Sequence, residues 1–167
     1  MVIEYGDYEC PYCAQTDALL AALSGVRRVF RHFPVTSKHP RARVLAHAAE
    51  AAALQGCFWE MHNSLMGDQG HLDPPHLWER ARRLGLDLER FEADRRSAAV
   101  AERVARDFRS GVRAGVMTTP TLWVDGRPHA GVPDGELLDR LRRSSASGTR
   151  TRPERPAGQA PGSASRS

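Results

Sequence analysis

The run EYGDYECPYCAQTDALLAAL, Glu4 to Leu23, places Cys10 and Cys13 three positions apart where an extended stretch gives way to a helical one. Cys57 is the only other cysteine in the chain. Metal ligation, a structural disulfide and redox chemistry are the candidate reasons for such a pair. Residues 2–6 read as a strand, residues 14–25 (AQTDALLAALSG) as a helix, and residues 26–34 (VRRVFRHFP) as a second strand. Leu19, Leu20 and Leu23 supply the apolar side of that helix, with Gly25 as its C′ residue. A CxxC pair inside a strand–helix–strand unit reads as a redox motif. Pro11 suits the first helical position, where an N–H would lack an intrahelical partner anyway. Cys10 then lies at the helix N-terminus, where unpaired N–H groups and the positive end of the dipole favour a thiolate. Cys13, one turn further in, is close enough to attack a mixed disulfide on Cys10.

The alternatives are poorly supplied. A zinc site takes about four ligands, and the chain has no second CxxC and no His spacing that matches a finger. Cys57 and seven scattered histidines are the remaining soft donors. Composition also narrows the field. Of the formal net charge of +4, the segment from Arg140 onward holds +6 (seven Arg, one Glu), which leaves residues 1–139 at −2. The basicity belongs to a tail, so a nucleic-acid role is not expected. No run approaches the ~20 apolar residues of a membrane span, so no membrane role is expected. Met1 is followed at once by VIEYGDYE, with neither a basic region nor an apolar stretch. That predicts a cytoplasmic setting, where structural disulfides are rare and a CxxC pair is metal-binding or catalytic. A strand opening at residue 2 also fits a start placed too late, which leaves room for an export signal upstream.

From Pro40 to Gly115 the pattern is helical, with four or five helices in a row. Val44, Ala48, Ala51 and Ala52 form one expected inner face, and Phe58, Met61 and Leu65 another. Asp73 caps a helix that opens on Pro74 and stops at Gly85, and Asp87 caps the next, with Leu88 and Phe91 inward. Val100, Val104 and Phe108 continue the same spacing. After Gly115, TPTLWV, the turn Asp125–Gly126 and RPHAG read as a β-hairpin. DGELLDRLRR closes the domain as a helix on Leu137, Leu138 and Leu141. From Ser144 the chain lacks aromatic and large aliphatic residues, and is expected to be a disordered basic tail.

EYGDYECPYC, FRHFP, HPRARVLAHAAEAAALQGCFWEMHNSL and GVMTTPTLWVDGRPHAG, in that order, resemble the DsbA-like branch of the thioredoxin superfamily. The resemblance runs from about residue 2 to residue 142. It implies an α/β, thioredoxin-like fold with an inserted all-helical subdomain. The core would be residues 1–38 and 116–143, the insert 39–115, and the tail 144–167. It implies dithiol–disulfide exchange with protein or peptide substrates and an unidentified redox partner, without cofactor or metal. Cys10 would attack and Cys13 resolve. Pro11, Tyr12 and the cis-proline loop Thr119–Pro120 would meet the substrate. Glu4 matches a buried acid that moves protons at the resolving cysteine, although a strand glutamate beside Ile3 reads equally well as a solvated edge residue. The dipeptide Pro11–Tyr12 lacks the histidine of strongly oxidising members. The rival is a non-catalytic thioredoxin-fold binding or adaptor module, with the pair holding zinc or idle.

Other residues read as structure. Cys57 is expected in the core, and Trp59, Trp78 and Trp123 are expected to be packing residues and not substrate platforms. His32, His39, His62 and His71 are expected to be satisfied or surface histidines. The Arg-rich segments 80–83 and 103–113 are interleaved with acids and read as solvated.

Overall fold

A computed structural model describes residues 1–147, and residues 148–167 lie outside the described residues. Strand β1 (Val2–Gly6) leads into helix α1 (Pro11–Ala21) and strand β2 (Arg28–His32). Five helices follow: α2 (Ala42–Ala53), α3 (Phe58–Gly67), α4 (Pro74–Arg83), α5 (Leu88–Arg95) and α6 (Ala98–Arg113). The chain closes with β3 (Thr121–Val124), β4 (Arg127–Ala130) and α7 (Gly135–Ser147). The sheet order is β2–β1–β3–β4, with β1 parallel to β2 and antiparallel to β3. This is a thioredoxin-like fold with a helical insertion between β2 and β3.

Local chemistry explains the element ends. Asp73, Asp87 and Ser97 each accept a hydrogen bond from the backbone N–H three residues on, as N-caps do. The β3–β4 hairpin turns on Asp125 (φ 51°) and Gly126 (φ 76°), the left-handed pair that a two-residue turn requires. Helix α1 begins at Pro11, as expected, and is over by Ala21, earlier than its leucines suggest. Gly25 therefore lies in the following turn (φ 73°), with Ala22 as the C-cap. Helix α7 continues to Ser147, past the expected start of the tail at Ser144.

Three cores divide the packing. Val2, Leu20, Leu122, Val124, Leu137 and Leu141 join β1 and β3 to α1 and α7. Tyr5, Phe33 and Val116 fill the other face of the sheet. The largest core gathers Leu45, Met61, Leu65 and Phe91 from the insert around Phe30, Cys10 and Cys13. Ala48, Ala51 and Ala52 of α2 are buried as expected, together with Leu45 and Ala49, whereas Val44 is exposed. Arg80 departs furthest from expectation. It is fully buried, donating to Ser64 Oγ (3.2 Å) and to the carbonyls of Asp68 (2.8 Å) and His71 (2.9 Å). Its guanidinium thus closes the loop between α3 and α4.

His32, Glu50 and Asp107 bring potential metal-ligand atoms within 4.8 Å of one another. Arg103 reaches Asp107 at 2.6 Å and Glu50 at 3.6 Å, and Arg31 reaches Asp107 at 2.8 Å. Two guanidiniums thus neutralise both carboxylates, and the cluster ties β2, α2 and α6 together.

Close approach of α6 to β2 depends on Gly111. A Cβ there would meet the Phe33 ring at 2.6 and 2.7 Å and Tyr5 at 3.0 Å. Phe33 cannot easily yield, because it stacks on Phe108 (4.7 Å) and meets Tyr5 edge-on (6.3 Å). An alanine gains ~1 kcal/mol of helix propensity, but overpacking costs ~1–3 kcal/mol. Gly111→Ala is therefore expected to lower stability by about 1 kcal/mol net, read from the urea midpoint. Gly67→Ala, where nothing lies within 4 Å, should be neutral or stabilising. Equal effects at both positions would refute the packing account.

Candidate active site

Cys10 is the N-cap of α1, with extended backbone (φ −80°, ψ 117°) and Pro11 directly after it. The cap leaves the first-turn N–H groups of the helix facing its sulfur. Its Sγ lies 3.4 Å from the Thr119 carbonyl oxygen, and the Thr119–Pro120 peptide is cis. The hydrogen bond from the Cys13 thiol is the largest influence on Cys10. Burial opposes it, bonds from Thr119 and the backbone of Cys13 and Tyr12 assist it, and the pKa falls from 9.0 to about 5. Cys13 moves the opposite way: giving its proton to the Cys10 sulfur, and burial, push it well above the ordinary thiol range. The Asp7 N–H donates to Cys13 Sγ at 3.4 Å. Two chemically identical side chains thus become a ready nucleophile and a reserve thiol.

Glu4 projects from β1, which is interior to the sheet, and its side chain is buried. That position rules out the solvated-edge reading. Burial, against the lowering charge of Arg28, drives its pKa from 4.5 to about 8. Neither carboxyl oxygen has a hydrogen-bond partner, and Arg28 Nη2 stands 3.6 Å from Oε2. The charge of Cys10 raises it further, and Glu4 in turn raises Cys13, so acid and cysteine pair form one electrostatic unit.

In front of Cys10 opens a cleft of about 320 Å³. Pro11 and Tyr12 form one wall, Met117, Thr118 and Thr119 the opposite one, and Val35, Lys38 and His39 the third. Tyr12 and Met117 are strongly exposed, Met117 at 91%. The structure therefore brings together Cys10, Pro11, Tyr12 and Thr119 at the cleft, whereas Pro120, expected there too, is buried behind Thr119 and does not line it. Cys57 stays apart as the half-buried N-cap of α3.

Several partners of the site were not visible in the linear pattern. Gln69 donates to the carbonyls of Tyr8 (2.8 Å) and Cys10 (3.0 Å). Arg41 pairs with Glu9 at 2.9 Å. His39 bonds the buried Asp7 carboxylate at 2.9 Å, which also accepts from the N–H groups of Glu9 and Val35. The insert thereby clamps the cysteine loop at three points. Asp17 bonds Arg28, which stands 3.6 Å from Glu4, and it alone among these had a sequence signal, lying four residues after Cys13 and so on the same face of α1.

The sequence matches the DSBA-like thioredoxin domain over residues 19–144. The chain belongs to the DSBA-like thioredoxin domain family. Among solved structures, it is similar to a thioredoxin-like oxidoreductase from Silicibacter pomeroyi (TM-score 0.74, 29% identity, 87% of this chain and 86% of that one). The thiol-disulfide exchange protein alpha-DsbA2 of Wolbachia pipientis shares the fold at TM-score 0.76, with 17% identity over 89% of this chain and 81% of that one. A curated relative is named Na(+)/H(+) antiporter NhaA 1, from Salinispora arenicola. It is 47% identical over 159 residues, 91% of this chain but only 24% of that protein. The chain thus spans about a quarter of the length of the curated relatives it matches.

The asymmetry between the cysteines generates a pH prediction. Alkylation of Cys10 by iodoacetamide, followed by mass spectrometry of its peptide, should titrate with a midpoint near 5. Cys13→Ala removes the largest stabiliser of the thiolate, so the midpoint should rise toward the ~8.5 of a free cysteine. An unmoved midpoint would show that the helix terminus alone holds the thiolate.

Proposed function

We propose that the chain is a thiol–disulfide oxidoreductase acting on protein or peptide disulfides through Cys10 and Cys13. The observation that carries this reading is the opposed tuning of the pair, an acidic thiol at the cleft and a proton-holding thiol behind it. In the reducing direction, Cys10 thiolate attacks one sulfur of the substrate disulfide. That S–S bond breaks, the departing substrate thiolate takes a proton from water, and a mixed disulfide joins Cys10 to the other sulfur. Cys13 then gives its proton to Glu4 and attacks Cys10 Sγ. The mixed disulfide breaks, the second substrate thiolate leaves, and Cys10–Cys13 becomes the disulfide. Two electrons have passed to the substrate. The oxidising direction is the reverse. Thr119 and Pro120, beside the Cys10 sulfur, are suited to aligning the substrate chain, and Tyr12 and Met117 offer it apolar contact.

A zinc-holding adaptor is less well supported. Among the described residues, neither cysteine belongs to a cluster of three or more metal-ligand side chains. Trapping separates the two readings. Cys13→Ser should accumulate mixed disulfides on a non-reducing gel, because a hydroxyl is a far weaker nucleophile than a thiolate. Cys10→Ser should trap little, and both variants should lose insulin reduction. If neither variant traps partners and both lose stoichiometric zinc, the adaptor reading replaces this one. The proposal sets the exchange in the cytoplasm. Acid-quenched alkylation of cells before the same gel should then find the wild-type pair reduced, and a fully oxidised pair would overturn that setting.

The antiporter names favour a second reading, in which this module adjusts a Na⁺/H⁺ exchanger according to redox state. Transport by the module itself is not part of it, since none of the described helices is long and apolar enough to cross a membrane. Vesicles holding such an antiporter with this module should exchange Na⁺ for H⁺ at different rates after oxidation and after reduction. Equal rates in the two states would refute the coupling.

A further inference from the structure

Behind the cysteine pair, a buried chain of polar groups runs from the insert to Glu4. His62, on α3, is wholly buried. Its Nε2 lies 3.0 Å from Asp17 Oδ1 and its Nδ1 3.0 Å from the Tyr8 hydroxyl. The same Asp17 oxygen accepts from Arg28 Nη2, and that nitrogen stands 3.6 Å from Glu4 Oε2. Arg28 is thus shared between two carboxylates, hydrogen-bonded to one and only near the other. Its outer side is covered by the Trp59 ring, 5.4 Å from the guanidinium carbon.

We propose that His62 is a positioning residue for Glu4: through Asp17 it holds the Arg28 guanidinium off the Glu4 carboxyl, leaving Glu4 free to carry the Cys13 proton. The inference deepens the thiol–disulfide reading and rests on it for the role of that proton.

Satisfying each group fixes the hydrogen positions. Asp17 is held below the ordinary carboxylate range, burial being outweighed by its bonds from His62 and Arg28. An ionised Asp17 can only accept, so His62 Nε2 carries a hydrogen. Burial keeps His62 below its ordinary range and hence neutral, leaving Nδ1 as the acceptor. Tyr8, held in its phenol form by burial, must therefore donate to it. Every element around His62 contributes to this choice. Tyr8 follows β1, Asp17 lies on α1, and Arg28, Phe30 and His32 come from β2. Phe58 and Trp59 flank it on α3 itself. Among the described residues, Asp17 is the only carboxylate that His62 bonds. The positive charge of Arg28 opposes its protonation, as does the neighbouring His32.

With His62 removed, Asp17 loses a donor that keeps it ionised in a buried site, and its claim on Arg28 weakens. Arg28, held less firmly by Asp17, is then free to close on Glu4, which becomes ionised and paired. A paired Glu4 is a poorer proton acceptor. Resolution by Cys13 should suffer, while attack by Cys10 should not.

Two measurements test the proposal. Carboxyl-carbon NMR of the reduced full chain should find Glu4 titrating near 8 in wild type. In His62→Leu the Glu4 midpoint should fall by at least about one pH unit, toward the ~4.3 of a free glutamate. His62→Gln, whose amide can still donate to Asp17 and accept from Tyr8, should keep the wild-type midpoint. Tyr8→Phe, which keeps the ring and removes only the hydroxyl, guards against misfolding of the leucine variant and should move it in the same direction. The second measurement follows Cys10–glutathione mixed disulfide in single turnover, where only the resolving step should slow in His62→Leu. A Glu4 midpoint unmoved in both His62→Leu and Tyr8→Phe, or a glutamine variant that behaves like leucine, overturns the proposal. Wild type with the expected Glu4 titration but no mixed disulfide overturns the exchange reading instead and leaves the positioning of Glu4 standing.

Discussion

Pro11 has no N–H to donate and its ring fixes φ, so it is tolerated in the first turn of a helix and not beyond it. Helix α1 must begin there, and that constraint sets out the site. Cys10 becomes the N-cap, with the unpaired N–H groups of the first turn around its sulfur. Cys13 falls one turn inside, and Asp17 one turn beyond that. The buried positions of α1 are Cys13, Thr16, Asp17 and Leu20, the i, i+3, i+4, i+7 stripe of a helix packed on a sheet. Thr16 and Asp17 are polar, and Cys13 carries a thiol. A helix that turns a thiol and a carboxylate toward a sheet cannot rest on apolar burial alone. It needs partners for them, and the sheet supplies Glu4 and Arg28.

The same stripe shows what was legible in the sequence. Strands β1 and β2, the hairpin on Asp125–Gly126, and the capped helices at Asp73 and Asp87 follow from local signals, because alternation, caps and left-handed turns act within a few residues. The CPYC motif gave the site its centre. Helix α1 begins at Pro11 as expected but was misjudged at its C-terminal end, because Leu19, Leu20 and Leu23 suggest an apolar face running to Gly25, whereas Leu19 is only half-buried and the helix ends at Ala21. Arg80 illustrates the other limit. In the sequence it is one arginine among several, and nothing within four residues marks it as buried. Its partners, Ser64 and the carbonyls of Asp68 and His71, lie 9 to 16 positions upstream. His62 escaped for the same reason, with its partners 45 and 54 residues away.

Electrostatics at the site works by contrast between near neighbours. Cys10 sits where the Cys13 thiol and helix N–H groups stabilise a negative charge, and Cys13 where its hydrogen bond to Cys10 and burial oppose one. A thiolate that is too stable attacks poorly, since nucleophilicity falls with pKa, but it also leaves readily. The placement therefore favours making and breaking the mixed disulfide at Cys10 and moves the difficult proton to Cys13. Glu4, raised to about 8 by burial against the charge of Arg28, lies within the same electrostatic unit and is the acceptor proposed above.

The insert is more than a cover over this chemistry. Both cysteines belong to its hydrophobic core, together with Met61, Leu65 and Phe91. Gln69, Arg41 and His39 hold the loop before α1 from the outside, and His62 reaches Asp17 from the inside. Phe30 links the two sets, since it packs edge-on against His62 at 4.6 Å and occupies the space that Gly6 leaves empty, where a Cβ would meet its ring at 2.5 Å. A shift of α3 by a fraction of an ångström would therefore be felt at Phe30, at Asp17 and at the cysteine loop together. In a fold whose sheet and first helix place the sulfurs, the inserted helices decide how rigidly those sulfurs, and the acid behind them, are held.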